Sequence, residues 1–288
     1  MRLLLLALTA CAPGTVLLEG AAVDHGTPVG TTDVPVEPPE TTETTGPITE
    51  PPAPAEDYRL GGPYTVEVRN EEAAVGSCEG GGMAYAVYRP NGIAPIALVV
   101  LAHGWVREKA FMAGWAEHWA SWGITVVTPD LCHTELWDTD HEANARDLLE
   151  LQAVIAQGTP VLWAGHSAGG LATLLAAVGD PTALGHLGLD LVDSDALGAS
   201  VAPIVLVPAA LLSGEPGLCN EDGNALPVYG AIPDTDGLRV VGAGHCDFES
   251  PTDWGCTTFC DDGSGDAAVQ DVIRGLSTAW VLWRSGIA

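Results

Sequence analysis

Val161-Leu162-Trp163-Ala164-Gly165-His166-Ser167-Ala168-Gly169-Gly170 joins two different periodicities. Residues 161–164 form a short apolar run suited to a strand buried on both faces, and residues 168–178 carry the small and aliphatic side chains of a helix packed on a sheet. Between them lies G-x-S-x-G. Its glycines lack the Cβ atoms that would obstruct a sharp strand-to-helix turn, and such a turn holds the Ser167 hydroxyl at the strand's carboxyl end. The following helix aims its first backbone N–H groups at the same point, where they favour developing negative charge. Ser167 is the candidate nucleophile, and the strand, turn and helix around it predict an α/β protein.

Outward from this turn, strands and helices alternate. Upstream, residues 64–68, 83–88, 96–102 and 124–128 read as strands, with helices near 111–122 and over 142–157. Downstream, 187–191, 203–207 and 238–241 supply three more strands, and 267–283 a closing apolar helix. This order predicts a mostly parallel sheet of the eight-stranded type, with helices on both faces and ligand chemistry at the strands' carboxyl ends.

A serine nucleophile needs a base, and the base an orienting acid. His245 follows the last predicted strand in Val241-Gly242-Ala243-Gly244-His245, where a loop can carry its imidazole over the serine. His25 lies in the N-terminal segment; His118, His133, His141 and His186 read as surface, capping or packing residues; His166 fills the variable position of the turn. The acid is open among Asp190, Glu215, Asp193, Asp195 and Asp222.

These motifs resemble the α/β-hydrolases. Ala102-His103-Gly104-Trp105 is similar to the turn that follows an early strand in serine esterases, which implies an oxyanion hole from the backbone N–H groups of Trp105 and Ala168, with His103 stabilising the turn. Leu189-Asp190-Leu191-Val192-Asp193-Ser194 and Gly244-His245-Cys246-Asp247-Phe248 resemble segments of plant chlorophyllases and of the related secreted platelet-activating-factor acetylhydrolases, which implies Asp190 as the acid. Gly104-Trp105, the run Thr125-Val126-Val127-Thr128-Pro129-Asp130, and Ala225-Leu226-Pro227-Val228-Tyr229, a helix before the histidine in that family, are similar to bacterial cutinases and polyester hydrolases, whose acid falls near Glu215 here. The resemblance implies a monomeric, cofactor-free serine hydrolase that cleaves small or polymeric carboxylic esters through Ser167, His245, Asp190 and an acyl-enzyme. Trp105, Trp137 and Trp163 are candidates to line an apolar cleft. A thioesterase or peptidase of the same fold, or a non-catalytic tethered surface protein, are the alternatives.

The remaining features concern location. Met1-Arg2 and the apolar run Leu3 to Leu8 lead into Leu8-Thr9-Ala10-Cys11, which resembles a bacterial lipoprotein signal: residues 1–10 are expected to be removed and Cys11 lipidated. Residues 11–57 are expected to be a disordered tether, since 8 Pro and 8 Thr fill 16 of the 28 positions from 27 to 54. Residues 58–288 are expected to form the catalytic domain. The net charge of −28, with Lys109 the sole lysine, excludes a phosphate-binding basic surface, so neither nucleic acid nor an anionic bilayer is an expected partner and membrane attachment rests on the lipid alone. With Cys11 set aside, Cys78, Cys132, Cys219, Cys246, Cys256 and Cys260 make an even six, which predicts three disulfides of an exported protein. Cys256 and Cys260 lack a second close Cys/His pair at zinc-like spacing, so no metal site is expected. The acidic run Asp261 to Asp266 could offer Ca²⁺ ligands but reads more simply as the capping loop of the last helix.

Overall fold

A computed structural model describes residues 18–20, 56–260 and 265–287. Its centre is a sheet of eight strands: β1 (Val66–Ala74), β2 (Gly82–Pro90), β3 (Leu98–Ala102), β4 (Thr125–Pro129), β5 (Val161–His166), β6 (Gly185–Leu189), β7 (Ala209–Ser213) and β8 (Thr235–Val240). They lie in the order β1-β2-β4-β3-β5-β6-β7-β8. Only β2 runs against its neighbours β1 and β4; every pairing from β4 to β8 is parallel. Leu18–Gly20 adds a short antiparallel strand beyond β8, so three residues of the expected tether pair with the sheet.

The central strands are apolar because both faces are covered. All residues of β3, β4 and β5 are buried, and alternate side chains enter two separate cores. Val100, Trp163 and Leu211 face α2 (His141–Ile155) and α3 (Ser167–Gly179), whereas Val99, Leu101 and Leu162 face α1 (Ala113–Ser121) and α7 (Ala267–Arg284). Asp140 caps α2 by accepting from Ala143 N at 2.8 Å, and Asp266 caps α7 by accepting from Ala268 N at 2.8 Å, the role expected for the end of its acidic run. The rest of that run, from Asp261 to Ser264, lies outside the described residues, as do the expected signal, Cys11 and all of 27–54.

One expected strand is displaced. Residues 203–207 include the β-branched Ile204, Val205 and Val207, but Pro203 lies in a short 3₁₀ turn (Ala202–Ile204), and Ile204 and Leu206 are exposed. The strand is instead Ala209–Ser213, poor in β-branched residues yet wholly buried between β6 and β8, because tertiary position overrides intrinsic preference here. Three short helices fill the return loops: α4 (Leu197–Val201), α5 (Ala225–Gly230), where the resemblance implied one, and α6 (Trp254–Cys260). The six cysteines pair as Cys78–Cys132, Cys219–Cys260 and Cys246–Cys256, with Cα separations of 5.2, 5.4 and 6.0 Å. Among the described residues no helix is long and apolar enough to cross a membrane.

Candidate active site

β5 ends at His166 and α3 begins at Ser167, whose φ of +53° is a left-handed conformation uncommon for a residue with a side chain. The turn closes because Gly169 has no Cβ: one built there would lie 2.2 Å from the His103 carbonyl oxygen. The loop after β3 therefore rests directly on the start of α3. A Cβ on Gly104 would stand 3.2 Å from Ser167 Cβ, so the backbone leading into Trp105 passes beside the serine. His103 holds this loop from within. Its Nε2 accepts from Leu131 N at 3.0 Å and its Nδ1 donates to the Gly104 carbonyl at 2.8 Å, while burial pushes its pKa down to about 4.

Asp190 follows β6 and His245 follows β8. Their side chains meet, with His245 Nδ1 2.6 Å from Asp190 Oδ2 and both groups buried. A carboxylate only accepts, so Nδ1 carries the hydrogen and Nε2 is left as the basic nitrogen. Asp190 Oδ1 accepts from Gly214 N at 2.9 Å. Asn220, 1% exposed, points its Nδ2 at both carboxylate oxygens, 3.1 Å from Oδ2 and 3.4 Å from Oδ1. The turn that carries His245 is braced by buried Asp247, which accepts from Gly244 N at 2.9 Å and Gly265 N at 2.7 Å. His166 donates from Nε2 to the His245 carbonyl at 3.1 Å, and burial drives its pKa well down, so the imidazole beneath the site stays neutral.

The other acids sit elsewhere. Asp193 accepts from Gly198 N at 2.6 Å and Ala199 N at 3.1 Å, anchoring α4. Glu215 is half-exposed and accepts from Gly242 N at 3.0 Å. Asp195 lies on the outer rim, and Asp222 is exposed with its N–H on the Gly217 carbonyl.

Ser167, Ala168, His245 and Trp105 open onto one cavity of about 800 Å³, walled by Val106, Leu136, Leu218 and Phe259. Of the three tryptophans expected there, Trp105 is present, its indole donating to Thr139 Oγ1 at 3.0 Å. Trp163 is in the core with its indole on Asp180 Oδ2, and Trp137 is 92% exposed and projects outward. His141, expected to cap or pack, also reaches the cavity wall. His118 bonds the Tyr58 carbonyl, His133 lies between Asp138 and Ser77, and His186 is buried between Thr173 and Tyr229, where burial lowers its pKa to about 3. His25 is outside the described residues.

Two charged residues that sequence reasoning passed over complete the floor. Arg107 grips buried Glu249 with two contacts of 2.7 Å, reaches Asp253 at 3.0 Å, and stacks its guanidinium 3.5 Å from the Phe111 ring centroid. Burial raises the Glu249 pKa against the opposing pull of Arg107. The sulfurs of Cys246, Cys256 and Cys260 gather within 4.8 Å, but in disulfides they offer no thiolate to a metal.

Residues from four strand ends, β3, β5, β6 and β8, thus converge on one apolar cavity. No protein-family model matches the chain, and a search of curated proteins finds no match.

Proposed function

We propose that the protein is a serine hydrolase of the α/β-hydrolase fold that cleaves carboxylic esters. The observation that carries this reading is Ser167 at a positive-φ turn, in one cavity with His245 whose Nδ1 is held 2.6 Å from Asp190. The chain order Ser167, Asp190, His245 is also the order of that fold's triad. Ser167 Oγ attacks the ester carbonyl while His245 Nε2 takes its proton. Asp190 keeps the imidazole in the tautomer this requires and stabilises the imidazolium. The backbone N–H groups of Trp105 and Ala168 stabilise the oxyanion, a contribution worth about 2.7–4 kcal/mol per donor in comparable sites. The alcohol leaves with the proton from His245, and water, activated by the same base, releases the acid.

The apolar wall formed by Val106, Leu136, Leu218 and Phe259 favours uncharged substrates with an aliphatic or aromatic part. Three disulfides and a signal-like N-terminus support an exported protein, which Cys11 would attach by lipid. The test is labelling by a fluorophosphonate probe together with hydrolysis of p-nitrophenyl esters: Ser167→Ala is expected to abolish both, and hydrolysis undiminished in that variant refutes the reading.

A further inference from the structure

Asn220 makes more hydrogen bonds than a loop residue needs for solubility or for a turn. Its Oδ1 accepts from Gly217 N at 2.8 Å and Gly223 N at 3.1 Å, which fixes the amide plane within its own loop. Its Nδ2 donates to the Glu215 carbonyl at 2.8 Å and to Asp190 Oδ2 at 3.1 Å. The amide cannot flip without setting its oxygen against a carboxylate and a carbonyl, so its orientation is unique. Cys219, the preceding residue, is bonded to Cys260 on α6, which pins the loop from the other side.

We propose that Asn220 is a positioning residue for the triad: it holds Asp190 Oδ2 in line with His245 Nδ1. The proposal rests on the serine-hydrolase reading of the same site. Without Asn220, Gly214 N on Oδ1 is the one fixed backbone donor left beside His245 itself, so rotation about the Cβ–Cγ bond is less constrained on the side that faces the base. The titratable groups facing the amide are Asp190 and, across it, His245; Glu221 and Asp222 are exposed and Glu215 is half-exposed.

Asn220→Asp tests this cleanly because it is isosteric. It keeps an acceptor for Gly217 and Gly223 but puts oxygen where Nδ2 donated. The introduced carboxyl can donate to Asp190 only while protonated, and the neighbouring carboxylate raises its pKa. The ratio of N220D to wild-type kcat is therefore expected to fall as pH rises. Added negative charge acting only through space gives the opposite trend, since it keeps His245 protonated to higher pH and depresses the ratio at low pH. Asn220→Ala is expected to lower kcat on p-nitrophenyl butyrate on the order of 10- to 100-fold, the usual range for losing an outer partner of a functional side chain, with KM within about threefold. The downfield proton resonance of the Asp190–His245 hydrogen bond is expected to shift in N220D without any substrate present. A pH-independent N220D ratio, a ratio that rises with pH, or a loss in KM alone overturns the assignment. Wild-type protein that the fluorophosphonate fails to label at Ser167 overturns the hydrolase reading and this inference with it, whereas labelled wild type with a flat N220D ratio overturns this inference alone.

Discussion

Replacing Asp190 by Asn puts the most weight on the geometry of the site. Three donors converge on the Asp190 carboxylate: Gly214 N on Oδ1, and His245 Nδ1 and Asn220 Nδ2 on Oδ2. A primary amide has one acceptor oxygen and one NH₂. If its oxygen faces Gly214, the NH₂ meets two donors; if it is flipped, the NH₂ meets Gly214 N–H. The cheapest relief is for His245 to move its hydrogen to Nε2, so that Nδ1 accepts from the new amide. That places a hydrogen where, in the proposed mechanism, His245 receives the Ser167 proton. At least one buried donor, from Asn220 or Gly214, is still opposed, at a cost of about 1–3 kcal/mol. The expected result for Asp190→Asn is a Tm lowered by about 2–4 °C per kcal/mol lost, and kcat lowered on the order of 10⁴-fold, which is about 5.4 kcal/mol of transition-state stabilisation. Steady-state hydrolysis of p-nitrophenyl butyrate, beside a thermal melt, measures both. Glu215→Gln is the control, since Glu215 is half-exposed, and its kcat is expected to stay within about twofold of wild type. Asp190→Asn retaining more than a tenth of wild-type kcat refutes the assignment of the acid, and refutes it in favour of Glu215 if the control loses activity instead.

Gly169→Ala forces a Cβ to 2.2 Å from the His103 carbonyl oxygen, so the loop leading to Trp105 and the start of α3 must separate; a stability loss of at least the about 1–3 kcal/mol of ordinary overpacking is expected, read as a lowered Tm, with kcat falling further than KM rises. Ordinary melts and unchanged kinetics would falsify the contact. His103 and His186 are neutral when folded, with pKa values of about 4 and about 3, but take up protons in the unfolded chain below about pH 6.5. The unfolded state then binds more protons, so stability present above pH 6.5 is expected to drain away as pH falls toward 4 and to level off below about 3; His103 alone accounts for something on the order of 3 kcal/mol, and a Tm that stays flat from pH 7 to pH 4 contradicts this. Replacing Cys219 and Cys260 together by Ala opens a link across 41 residues and is expected to cost about 4 kcal/mol by loop entropy, together with a fall in kcat that resembles Asn220→Ala. A double variant with wild-type kcat shows that the link is not needed to place Asn220.

Much of the site is legible in sequence because its backbone demands particular residues. The turn at Ser167 needs glycine on both sides, and His245 sits where the last parallel strand must end, so both stand out from local pattern. Asp190 is found only by resemblance, because one acid among 38 carries no local mark. Asn220 leaves no mark at all: it lies in a loop without periodicity, and its partner is 30 residues away in the chain. Arg107 and Glu249 escape notice for the same reason, standing 142 positions apart in the chain. The fold is read well where strands are apolar and bounded by turns. It is misread at β7, where the run 203–207, rich in Ile and Val, begins in a 3₁₀ turn and the duller Ala209–Ser213 takes the buried slot. Trp163 and Trp137 show that residue type alone does not separate core, cavity and outer surface.

Cys256 and Cys260 stand one turn apart on α6, their sulfurs 4.0 Å from each other, and they lead to two different loops: Cys256 to the residue after His245, Cys260 to the residue before Asn220. Exchanging partners would give Cys219–Cys256 and Cys246–Cys260, moving each attachment about 6 Å along the helix axis in opposite senses. Such an isomer has the same mass, the same number of bonds and the same sheet, yet its two loops hang out of register. If the proposed hydrolysis holds, the specific activity of a preparation is also a measure of pairing fidelity, and peptide mapping of these four cysteines, rather than intact mass, is what detects a mispaired one.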